Sequence, residues 1–214
     1  MSVVPDSSAT VSPVAPVPRT KSGLFGRMKG MLFAPSAEWM LIATDVTPTA
    51  RLYTSYIVPL ALLDALVGFI HVTSGAAHVP FSGGVITALL VFAFGLLGIF
   101  LVALIINAVA PFFGAVGNRR LAAAIAVYAS TPIWLATVFV PFPTLWAPLQ
   151  VLAVTYHTWL LYLGLRQLMK APRDRVLGYA TTVVLCTILL EIVFAIASTA
   201  LGGATHLNPY RALG

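Results

Sequence analysis

Apolar residues run along this chain in five long blocks: Tyr53 to Val72, Val85 to Val109, Leu121 to Val140, Leu145 to Leu165 and Leu177 to Leu201. Each reaches the length of about 20 residues that, in helical form, crosses a bilayer core of about 30 Å. The pattern predicts an all-α, polytopic membrane protein, a bundle of five transmembrane helices over residues 53–201. The second and fifth blocks are long enough to tilt. Pro-Phe-Pro-Thr joins the third to the fourth and predicts an antiparallel hairpin. Pro132 and Pro148 fall within those blocks and predict kinks or helix ends there.

Before the first block the pattern changes twice. Residues 1–22 are rich in Pro, Ser and Val without helical periodicity, and predict an extended, disordered tail rather than a signal peptide. In residues 23–52, the stretch GLFGRMKGMLF places Leu24, Phe25, Met28, Met31 and Leu32 along one helical face, flanked by Arg27 and Lys29. That predicts a short amphipathic helix in the membrane interface, its basic flanks near anionic lipid, although Gly26 and Gly30 weaken it as a helix. Residues 202–214 are read as a short external tail.

Composition strengthens this picture. Of the 214 residues, 59% are hydrophobic and 8% charged, far below the quarter or so of a soluble domain. The net charge of +6 is explained by topology, not by nucleic acid. Arg19, Lys21, Arg27, Lys29 and Arg51 precede the first block. Arg119 and Arg120 follow the second, and Arg166, Lys170, Arg173 and Arg175 follow the fourth. Only Arg211 belongs to the other side, so the split is eleven to one. The expected orientation is N-terminus in the cytoplasm and C-terminus outside. The lone Cys186 lies in an apolar block and forms no disulfide framework.

Three ionisable groups lie deep: Asp64, His157 and Glu191, about 16, 12 and 21 Å from the cytoplasmic ends of their blocks. Each shares a stripe with small or polar residues, which in lipid marks helix–helix contact. They are expected to face the bundle interior as a buried polar cluster with Tyr128, and His157 is the expected neighbour of Asp64. A charge at this depth costs about 2.5–3.5 kcal/mol on insertion scales. Two readings stay open: hydrogen-bonded groups that set helix register, or a proton or ion pathway. His71, His78 and His206 match no metal motif, and no hydrolase, zinc or nucleotide signature is present, so no metal, cofactor or catalysis is expected.

Several motifs in order resemble a known family. MLFAPSAEW carries Pro35 and Trp39, and YASTPIW carries Tyr128, Thr131 and Pro132. VPFPTLW then leads into YHTWLLYLGLRQLMKAPRDRVLGYA, with Gly164 and Pro172. Over residues 25–200 the chain is similar to the Yip family, five-span membrane proteins named for interaction with Rab-type GTPases, and most to its bacterial branch. The Asp-Leu-Tyr-Gly-Pro motif of eukaryotic members is missing from the N-terminal region. The resemblance implies a non-catalytic adaptor or organiser in a bacterial inner membrane, acting through its bundle, cytoplasmic tail and loops. Its expected partners are the lipid bilayer and an unidentified membrane or cytoplasmic protein, with a homo-oligomer as another outcome. The alternative is a small proton-coupled transporter or permease using Asp64, His157 and Glu191.

Overall fold

The computed structural model of the chain describes residues 23–45, 47–74 and 79–202, with side chains as far as residue 198. The predicted N-terminal tail, residues 203–214 of the predicted C-terminal tail, Arg19, Lys21, Arg211, His78 and His206 lie outside the described residues. The elements are α1 (Leu24–Phe33), α2 (Pro35–Thr44), α3 (Thr49–Leu52), α4 (Val58–Ser74), α5 (Phe81–Val109), α6 (Arg119–Ala129), α7 (Thr131–Ala136), α8 (Pro143–Gln167) and α9 (Val176–Gly202). A π-helical turn, Tyr53–Ile57, fuses α3 to α4, and 3₁₀ turns extend α5 and α7. Among the described residues there is no strand, as expected.

All five apolar blocks are helical. Thr49–Ser74, Phe81–Phe113, Arg119–Phe139 and Val176–Ser198 are long and apolar enough to cross a membrane. The fourth block, α8, has 25 residues, but Gln150, His157 and several Thr dilute its hydropathy. It runs back from the Pro-Phe-Pro-Thr turn to the end that carries the loop between α5 and α6. There the Val116 N–H donates to the Met169 carbonyl at 2.9 Å, and Pro172 packs on Gly114. Gly114 has φ +69°, which suits glycine at this tight approach.

The third block is the centre of the bundle. Asn118 caps α6 by accepting from the N–H groups of Arg120 and Leu121. Ala122, Ala123, Ala124, Ala126 and Ala129 are buried, and their small size lets α5 and α8 come close. The helix then breaks at Ser130, because Pro132 has no N–H to continue the ladder. Pro148, in contrast, sits inside α8 without ending it.

The N-terminal segment departs from expectation. Two helices form a hairpin packed on α6 and α8. Met28 and Met31 are buried in the core and Leu24 packs against it, whereas Phe25 is 82% exposed. The predicted apolar face is therefore divided between bundle and surroundings. Arg27 corrects the expectation further: it turns inward, onto Glu38, Asp45 and the Tyr128 ring.

Candidate functional site

Polar groups converge where the hairpin meets the basic end of α6. The Arg27 guanidinium pairs with Glu38 at 2.7 Å and Asp45 at 2.5 Å, and lies 5.9 Å from the centre of the Tyr128 ring. Arg120 donates to the Asp45 carbonyl, while the Thr47 hydroxyl and N–H donate to the Asp45 carboxylate at 2.6 and 2.9 Å. One arginine thus ties α1 to both ends of the α2 segment, and a second ties that segment to α6. A cavity of about 20 Å³, room for about one water, lies beside Asp45, Arg120 and Tyr128.

Burial opposes the charge on Arg27, but the Glu38 hydrogen bond and the surrounding negative groups outweigh it, so its pKa is raised. For Asp45 burial again acts against the charge. The two Thr47 hydrogen bonds, then Arg27 and Arg120, prevail and hold its pKa below the usual carboxylate value. Both groups are therefore ionised at neutral pH.

Above this network, toward the bundle centre, side chains repair the broken third helix. Tyr128 would normally bond through its carbonyl to the N–H of residue 132, which is a proline. The Thr131 hydroxyl donates to that carbonyl instead, at 2.7 Å. Having given its proton there, Thr131 accepts from the Tyr56 hydroxyl at 2.7 Å. The Tyr56 ring meets Tyr128 edge-on at 4.9 Å, and the π turn carries Tyr56. The Ala129 carbonyl is taken by His157 Nδ1 at 2.9 Å. Because a carbonyl only accepts, Nδ1 carries the proton.

These contacts revise the deep polar cluster. His157 is buried and bonds the backbone, and among the described residues no ion pair joins it to Asp64. The expected Asp64–His157 pair is overturned because the break at Pro132 leaves a carbonyl that claims the imidazole. Asp64 is half-buried on α4 and faces Thr137. Glu191 lies within its electrostatic reach but is exposed on α9. The three ionisable groups do not form one site.

The motif residues have distinct structural places. Pro35 starts α2. Trp39 is fully buried against Gly164, where an added Cβ would lie 3.1 Å from its ring. Pro132 stands in the first turn of α7 and is buried. In the basic loops Arg119, Lys170, Arg173 and Arg175 are exposed, whereas Arg120 and Arg166 are half-buried. Sequence reasoning missed Glu38, Asp45 and Tyr56 as partners. The available signal was charge scarcity: two of the six acidic residues stand between 38 and 45, just after Arg27.

No curated protein and no solved structure matches the chain. A family profile does, the Yip1 domain, over residues 29–197. That match contains Trp39, the Tyr128–Thr131–Pro132 break and Gly164, whose contacts have just been described. With several apolar helices long enough to cross a bilayer, this multi-pass membrane protein belongs to the Yip1 domain family.

Proposed function

We propose that the chain is a non-catalytic adaptor or organiser of a bacterial inner membrane, presenting its basic loops to a partner protein in the cytoplasm. The observation that carries this reading is the order of those loops. Phe113 stacks on Tyr179 with ring centres 5.4 Å apart, and the Tyr179 hydroxyl donates to the Ile106 carbonyl at 2.5 Å. With the Val116–Met169 hydrogen bond, these contacts hold Phe112, Leu177, Arg173 and Arg175 outward on a preformed surface. Little ordering entropy remains to oppose docking there. The transport alternative has less support, since His157 serves the backbone and stands apart from Asp64 and Glu191.

Orientation follows from the eleven-to-one charge split, with α8 as a fifth crossing. The contact between the two basic loops supports that crossing. A reporter fused after Gly214 is expected to be active only in the external compartment, and cytoplasmic activity would refute the topology. For the adaptor role, crosslinking pull-downs from native membrane should lose a partner when Arg173 and Arg175 become Gln, with topology unchanged. An unaltered set of crosslinked proteins, self-crosslinks included, would refute docking at this loop.

A further inference from the structure

The hairpin formed by α1 and α2 has a depth as well as a fold. Each helix has 10 residues, about 15 Å, too short to cross a bilayer and close to half its core. Its contacts with the bundle form a register. Asp45, just past α2, meets Arg120 at the basic end of α6. Trp39 packs on Gly164, three residues or about 4.5 Å inside the end of α8. Arg27 reaches Tyr128, nine residues or about 13 Å into the third span. Nearest the tip, the Met31 and Leu32 carbonyls accept from the Tyr156 hydroxyl at 3.2 and 2.9 Å. Tyr156 stands eleven residues, about 16 Å, inside α8. The open end of the hairpin, where Asp45 meets Arg120, makes the shallowest contact, and the turns beside its tip, where Met31 and Leu32 meet Tyr156, make the deepest.

We propose that α1 and α2 form a re-entrant helical hairpin, its tip at Phe33–Pro35 lying among the acyl chains of the leaflet beside the basic loops. Backbone can enter hydrocarbon only where its polar groups are satisfied. The tip meets part of that demand: the Tyr156 hydroxyl donates to two of the end carbonyls of α1, the Gly30 carbonyl takes the Ala34 N–H at 2.8 Å, the Ala34 carbonyl takes the Glu38 N–H at 3.0 Å, and Pro35 brings no N–H, while α2 starts without a side-chain cap. Two charges within the hairpin, Arg27 and Glu38, neutralise each other on the bundle side. The opposite side shows Phe25, Phe33, Met40 and Leu41 at 82, 80, 63 and 56% exposure, a surface that matches lipid and not water. Lys29, exposed on that side, can carry its ammonium back to the headgroups on its aliphatic stem. A helix lying flat in the interface would hold Phe25 and Phe33 at one depth, whereas a re-entrant hairpin separates them. The placement holds whichever protein the loops recruit.

The test uses the full chain in lipid vesicles, with Cys186→Ser and a spin label on one new cysteine: Phe25→Cys, Phe33→Cys, or Asp174→Cys as an aqueous reference. Both phenylalanines point away from the bundle, so replacing them leaves the packing intact. Collision with oxygen and with a water-soluble nickel chelate is read by power saturation. The expected result is loss of nickel collisions at 33, strong oxygen collisions there, and a shallower label at 25. Equal depth at 25 and 33, nickel access at 33 matching 174, or shielding of 33 from both probes would each overturn the proposal.

Discussion

Gly30→Ala should destabilise this protein, although the same change inside an ordinary helix gains about 0.8–1.0 kcal/mol. The added Cβ would overlap the Glu38 carboxylate, at 2.6 Å from its Cδ. Glu38 cannot yield without leaving Arg27, which it meets at 2.7 Å in a buried setting. A charged hydrogen bond of this kind is worth about 1.5–3 kcal/mol, and Arg27 would keep Asp45 as a partner. Setting the helix gain against that loss leaves a net destabilisation of about 1–2 kcal/mol. In a Glu38→Ala background both the obstacle and the bond are gone. There the same Gly30→Ala change should stabilise, by up to about 1 kcal/mol. The sign reversal can be read from unfolding midpoints of the four proteins in detergent micelles, followed by tryptophan fluorescence. Equal destabilisation in both backgrounds would refute the coupling through Glu38.

Gly164→Ala should cost about 1–3 kcal/mol, because Trp39 and Ile125 already meet the missing Cβ at 3.1 and 3.2 Å; a shifted Trp39 emission would report it, and wild-type stability would contradict it. For Asp45, whose folded pKa lies below the unfolded value of about 3.9, the stabilisation is present above that value and is lost as pH falls through the folded pKa. Thr47→Val removes one of the bonds that depress it, so acid unfolding should begin at a higher pH than in the wild type. An unchanged acid midpoint would contradict that role for Thr47. Asp64→Asn should be tolerated because an amide can still meet Thr137, whereas Asp64→Leu should loosen the bundle; equal stability of the two variants would count against a hydrogen-bonding role.

Periodicity and length alone located the five helical blocks, because an apolar run that long has few other ways to hide its backbone. The basic residues identified the loops that the structure finds in contact. What escaped was every relation that depends on which helix stands beside which. His157 and Asp64 have similar depths along their own helices, but depth says nothing about azimuth, and the carbonyl exposed by Pro132 decided the outcome. An amphipathic pattern judges each helix in isolation, and so it gives Arg27 only as a flank. Its partners, 11 and 18 positions later, become neighbours only when Ala34 turns the chain. The hairpin was therefore legible as an amphipathic segment but not as a packed unit.

The break in the third span also bears on how the chain is assembled. A continuous helix leaves the translocon with its interior hydrogen bonds already made, but α6 and α7 do not. At Ala129 the acceptor waits for His157, 28 residues later in synthesis. The Tyr56 hydroxyl that meets Thr131 was made 75 residues earlier. The third helix is therefore completed only when an earlier and a later helix close on it. Insertion and tertiary assembly are one event at this position, so a ribosome stalled before α8 emerges should leave the third span open to water or degradation.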